Sequence, residues 1–234
     1  MQQGAIRLFK FAGIQVYLHW SWFLIAIWQI SRDDSYHSPI WPLYEYLALF
    51  GIVLLHEFGH SLACKSVGGA ANHILLWPFG GVASVQPPRR AGAVLWSIAA
   101  GPLVNVVLIP IFFAINFVWN ASSYSADAPD FTQFLEMLGT INLWLLIFNM
   151  LPIYPLDGGQ ILRAVLWFFI GENQSLLVAT FLGLIGGVGL AIAVWSWGTF
   201  MLVLCAYLLM NCWQAFQFAR EQQKLQKMPP GLES

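Results

Sequence analysis

The sequence predicts an all-α polytopic membrane protein of about six transmembrane helices, with a small membrane-embedded β-hairpin among them. Three observations carry this. Of 234 residues, 59% are hydrophobic and only 9% charged, whereas a soluble domain carries about 25% charged residues. Apolar runs long enough to cross a bilayer recur along the chain. Lys and Arg also fall almost entirely on one side once those runs are threaded through a membrane. The net charge of −1 gives no case for nucleic acid as a partner.

The first run, about 14–31, follows a basic start. No small-x-small cleavage pattern closes it, so it reads as a retained span rather than a signal peptide. The second and third runs are about 42–65 and 92–119. Between them "HILLWPFGGVASV", 73–85, has short β-favouring stretches around Pro78 and Gly80-Gly81 and reads as a hairpin dipping into the membrane. The fourth run, about 134–155, is broken by Pro152 and Pro155, and the helix "GGQILRAVLWFFI" after it is expected at the interface. The last two are about 176–196 and 198–219. Gly183 and Gly187 in the fifth have the spacing of close helix packing. These runs make one transmembrane domain, 1–219, with its core at 42–163. A short polar tail, 220–234, is expected to be flexible and cytosolic. Cys64, Cys205 and Cys212 form no CxxC pair and sit in or beside apolar stretches, so they read as packing residues.

With both termini cytosolic, the inside segments hold Arg7, Lys10, Lys65, Arg89, Arg90, Arg163, Arg220, Lys224 and Lys227. The outside holds Arg32, which completes the 10 Lys and Arg of the chain. The outer loop at 120–133 carries Asp127 and Asp130 and no basic residue. The opposite threading inverts this bias, so a multi-pass protein of the cell membrane with cytosolic termini is expected.

In "LALFGIVLLHEFGHSLACK" two histidines and a glutamate interrupt the second run. An ionisable group at the centre of a membrane helix costs at least ~2.5–3.5 kcal/mol and needs a partner. His56 and His60 are four apart, so on a helix they share a face one turn apart, and both imidazoles can reach one metal ion. Glu57 points beside that ion rather than at it, which suits a general base on a water that the metal activates. Imidazole and carboxylate ligands in an open four-coordinate site favour zinc, one ion per chain. Lys65 should snorkel to the cytosolic surface, which puts His60 about 7 Å and His56 about 13 Å inside it. Two histidines merely hydrogen-bonded in a bundle would leave the buried Glu57 unexplained.

Zinc needs a further protein ligand. His19 and His73 have no supporting pattern and read as interfacial or hydrogen-bonded. Asp157, in "FNMLPIYPLDGGQILRA", is the better candidate. Irregular backbone at membrane depth is tolerated only where it is buried in protein or lines a cavity, and Gly158 and Gly159 permit a tight turn. Asp157 is also placed to cap the helix that follows. The two roles are compatible, since a carboxylate has two oxygens.

HEFGH followed by N-x-x-P-x-x-P-L-D-G-G, Asn149 to Gly159, resembles the site-2 protease family of intramembrane zinc metalloproteases. The segments "LLWPFGGVASV", 75–85, and "AAGPLVN", 99–105, are similar to that family's membrane-embedded strand region and third span. The likeness covers about 42–163. No PDZ module and no CBS pair, which many relatives carry, is legible in these residues, so the means of substrate choice stays open. The resemblance implies His56, His60 and Asp157 as zinc ligands and Glu57 as the catalytic acid/base. It implies hydrolysis of peptide bonds in or near transmembrane segments, as in regulated intramembrane proteolysis, at a cytosol-facing site. The implied partners are a transmembrane protein substrate and the lipid bilayer, with a regulatory membrane partner and the oligomeric state left open.

Three further features bear on substrate. Asn149 can hydrogen-bond a substrate carbonyl or a developing oxyanion, or satisfy carbonyls freed at the helix break; the resemblance favours substrate. Asn105 can make an interhelical hydrogen bond or touch substrate. The hairpin edge at Val82, Ala83, Ser84 and Val85 can hold a substrate as an added strand, which exposes amides that a helical segment hides. A transporter would also place His and Asp inside the membrane, but related halves are not visible and Glu57 has no transport role. A relative that only binds peptides would be marked by the loss of Glu57, which is present.

Overall fold

Hydrocarbon offers no partner for a backbone N–H, so a spanning segment must satisfy its own amides, and the helix does this. The computed structural model describes residues 4–30, 36–77 and 80–227. Strands β1 (Ala5–Phe11) and β2 (Ile14–His19) come first, then helices α1 (Ser21–Ile30) and α2 (Trp41–Ser66). Strands β3 (Ala70–Trp77) and β4 (Gly80–Gln86) follow. The rest is helical: α3 (Ala91–Asn120), α4 (Pro129–Asn149), α5 (Asp157–Ile170), α6 (Glu172–Ala193) and α7 (Thr199–Lys227). Among the described residues five helices are long and apolar enough to cross a membrane: α2, α3, α4, α6, and α7 over Met201–Lys224. The chain divides into two units. One comprises Met1–Pro88 with Ala99–Ile147, the other Arg89–Ile98 with Phe148–Ser234.

The N-terminal segment departs from expectation. Residues 14–31 are not one span: Ile14–His19 is a strand and Ser21–Ile30 a helix of 10 residues, and residue 31 lies outside the described residues. The local reason is a period of two, with Ile14, Val16 and Leu18 alternating with Gln15, Tyr17 and His19. Gly13, at φ 76, turns the chain back from β1 into β2. A hydropathy average over the segment hides both signals. The expected count of about six spans therefore becomes five among the described residues.

The hairpin also proves to be half of a larger sheet. β3 and β4 pair antiparallel, with Leu75 opposite Val82, Ile74 opposite Ala83 and Ala71 opposite Val85; Pro78 at the tip lies outside the described residues. β2 joins β3 in parallel, and the strand order is β1-β2-β3-β4. Val16 lies beside Ile74 and Leu18 beside Leu76, so these side chains share one face. Ile14, Val16, Ile74 and Leu76 are fully buried and cluster with Val53 and Phe58 of α2. This packing seats the sheet on the helix that carries HEFGH. In the same unit, Asn116 Nδ2 donates to the Leu135 carbonyl (2.9 Å) and Trp119 Nε1 to Thr132 Oγ1 (2.8 Å), tying α3 to α4. Lipid is as apolar as the helix faces, so such bonds and close packing hold membrane helices together.

In the second unit, Pro152 and Pro155 keep 150–156 out of a regular helix. Gly158 lies against the carbonyls of Met150 and Leu151, with no room for a Cβ. α6 packs on α7 through the expected small-residue pair: a Cβ on Gly183 would stand 2.9 Å from Cys212 Sγ, and one on Gly187 2.7 Å from Leu209 Cδ2. α7 runs on to Lys227, so 220–227 are helical where a flexible tail was expected; 228–234 lie outside the described residues. Cys64, Cys205 and Cys212 are buried and unbridged.

Candidate metal centre

α2 is helical through HEFGH, so the four-residue spacing brings both imidazoles to one face as read from the sequence. His56 and His60 point their Nε2 atoms at one place, 3.0 Å apart. Ligand atoms of His56, Glu57 and His60 all lie within 4.8 Å of one another, the one such group of three among the described residues. The three side chains are 3%, 5% and 5% exposed. Tetrahedral zinc with bonds of about 2.0–2.1 Å holds its nitrogens roughly 3.3 Å apart, so this nitrogen pair fits the ion.

Two glycines make room for the group. A Cβ on Gly101 of α3 would fall on Nε2 of His60 and close to Nε2 of His56. Only a glycine leaves the space in front of the two ligand nitrogens open. Gly59, inside HEFGH, lets α2 approach α3: its Cβ would stand 2.6 Å from the Ala100 carbonyl oxygen. HEFGH and AAGPLVN thus meet backbone to backbone.

Behind the imidazoles runs a chain of amides. His56 Nδ1–H donates to Asn105 Oδ1 (2.6 Å), Asn105 Nδ2 to Asn142 Oδ1 (2.8 Å) and Asn142 Nδ2 to the Asn105 carbonyl (2.9 Å). Asn105 and Asn142 are wholly buried. A proton on Nδ1 leaves the Nε2 lone pair of His56 for a metal. Asn105 is therefore engaged by side chains of α2 and α4. Asn142 was not singled out from the sequence. The signal was there: an amide inside the apolar run "TINLWLLIF" needs a buried partner.

The remaining candidates are placed as follows. Asp157 is the first residue of α5, buried, in the second unit; the cap position is Leu156 and carries no side-chain capping bond. Asn149 ends α4, half-buried, also in the second unit. Val82, Ala83, Ser84 and Val85 lie on β4, a terminal strand of the sheet. His19 bonds Ser21 and stacks on Trp77, and His73 packs edge-on to Tyr17, so both are structural histidines.

Comparison with known proteins points the same way. The model of Peptidase family M50 matches residues 120–194, which include the Asn149–Gly159 motif. A zinc metalloprotease of Methanocaldococcus jannaschii is 35% identical over 181 residues, 76% of this chain and 50% of its own. A relative from Synechocystis sp. is 34% identical over 206 residues, 82% of this chain and 52% of its own. The chain thus spans about half the length of the curated relatives it matches. Among solved structures, the site-2 protease from Methanocaldococcus jannaschii superposes with a TM-score of 0.65 at 29% identity, covering 91% of this chain and 95% of that one. A buried His-Glu-His group on a spanning helix, in a fold shared with that protein almost end to end, makes this chain similar in fold and site to the site-2 protease family.

Proposed function

We propose that the chain is an intramembrane zinc metalloprotease that hydrolyses peptide bonds in or near transmembrane segments of membrane-protein substrates, from a site facing the cytosol. The observation that carries this is the convergence of His56, Glu57 and His60 inside a spanning helix. His56 and His60 hold the ion through Nε2, and Asp157 supplies the third ligand. Supporting Asp157 is its burial at the start of α5, directly after the Pro152–Pro155 break. When bound, zinc supplies Lewis acidity for the scissile carbonyl and for water. Glu57 accepts the proton of the attacking water and delivers it to the departing amine nitrogen. Asn149 is the candidate donor to the substrate carbonyl or developing oxyanion.

Substrate is held as an added strand on β4, whose outer edge has no strand partner among the described residues and which packs on α2. Residues 82–85 supply that edge. The cytosolic orientation rests on the Lys and Arg distribution. Labelling of single cysteines at Lys65 and Asp127 in intact cells tests it, and labelling of position 65 from outside would reverse the topology.

The deciding experiment is reconstitution of the purified protein with single-span test substrates, for wild type and Glu57→Gln. One zinc per chain in both, with cleavage by wild type alone, is expected. A folded wild-type protein without zinc would overturn the proposal. Photo-crosslinkers at 82–85 should capture substrate, and persistent failure to do so would remove the strand-addition step.

A further inference from the structure

Asn105 has to present its oxygen, not its amide nitrogen, to His56. A carboxamide can face either way. Turned over, Nδ2–H would donate to His56 Nδ1, the ring proton would move to Nε2, and the ligand lone pair would be lost. The place is closed to bulk solvent: Asn105 and Asn142 are 0% exposed and His56 3%.

The orientation is set further back. Asn142 Nδ2 donates to the backbone carbonyl of Asn105 (2.9 Å), a group that can only accept. That bond fixes the sense of the Asn142 amide, so its Oδ1 faces Asn105. An oxygen there demands a donor, and Asn105 answers with Nδ2 (2.8 Å). Its own Oδ1 is then left facing His56 Nδ1 (2.6 Å). One backbone carbonyl, whose polarity cannot invert, thus dictates every later orientation in the chain.

We infer that Asn142, on α4 and out of contact with the ion, is a positioning residue that sets the tautomer of His56 through Asn105. This rests on the reading of His56 as a zinc ligand through Nε2. Groups behind a ligating histidine typically matter about 10- to 100-fold in metal affinity.

The test measures zinc affinity by chelator competition, with the visible spectrum of the cobalt-substituted protein. It uses full-length wild type, Asn142→Leu, Asn105→Leu and the double variant. Each single change should weaken binding about 10- to 100-fold and alter the cobalt spectrum. The double variant should bind no worse than Asn105→Leu, because Asn142 acts only through Asn105. Wild-type affinity and spectrum in Asn142→Leu would overturn the inference, and so would additive losses in the double variant. If Asn142→Leu does not fold, nitrogen NMR of 15N-histidine in the zinc-free wild-type protein decides. A proton on Nδ1 of His56 upholds the inference and one on Nε2 overturns it. Failure of wild type itself to bind zinc would instead sink the ligand reading, so the two failures are distinguishable.

Discussion

α2 is flanked by one histidine cluster and contains another, and the two are built on different chemistry. Just before its first turn, His37 is held by a carboxylate. Asp130 Oδ1 accepts from His37 Nδ1 (2.8 Å) and the His37 amide (3.0 Å), and Oδ2 accepts from the Ser38 amide (3.0 Å). The His37 side chain is 82% exposed. About 22 Å further along the helix axis, His56 is buried and its partner is the neutral amide of Asn105. Water around His37 can solvate an ion pair, so a carboxylate there is cheap. In the membrane interior an unpaired or imperfectly paired charge is expensive, and a neutral amide orients an imidazole without adding one. The amide adds no charge to the one that Glu57 already brings to the buried cluster. Exposure lets a histidine serve as a surface tie, whereas burial beside a directional amide leaves its other ring nitrogen free to face a metal.

Four substitutions test this contrast. The largest effect is expected from His60→Ala, which removes one of two converging nitrogens: bound zinc should fall well below one per chain and cleavage should vanish, as read by metal analysis and the reconstituted assay. Gly101→Ala comes next. Its methyl group intrudes on the ligand nitrogens, and overpacking of this kind costs about 1–3 kcal/mol, visible as weaker zinc binding or a lower melting temperature. Asn105→Asp makes the buried cluster chemically like the exposed one. The Asn142 oxygen then faces an oxygen instead of Nδ2–H, and the variant should lose about 1–3 kcal/mol of stability in a denaturant or thermal titration. The smallest effect belongs to Asp130→Asn. It keeps an acceptor for His37, so zinc content and cleavage should match wild type and only a small drop in melting temperature is expected. A large loss of zinc in Asp130→Asn would erase the distinction between the two clusters.

Much of this was legible along the chain because the signals are local. HEFGH declared its shared face by spacing alone, and the apolar runs at 42–65, 92–119 and 176–196 became α2, α3 and α6 within a few residues. The run at 14–31 misled because mean hydropathy cannot tell an alternating strand followed by a short helix from one span. The hairpin was visible in the β-favouring residues of 73–85, but its partner β2 lies more than fifty residues earlier, and nothing in either segment announces the parallel register between them.

By itself the sequence determined the class of the molecule, most of its spanning helices and the pair of histidines on α2, since hydropathy and helical periodicity act between near neighbours. Tertiary structure alone decided that Gly101 stands before the two imidazole nitrogens and that Asn105 turns its oxygen to His56. It also decided that Asn142, 37 residues away from Asn105, fixes that turn. Those choices depend on which buried donor meets which buried acceptor once two helices pack, a pairing that no local pattern encodes.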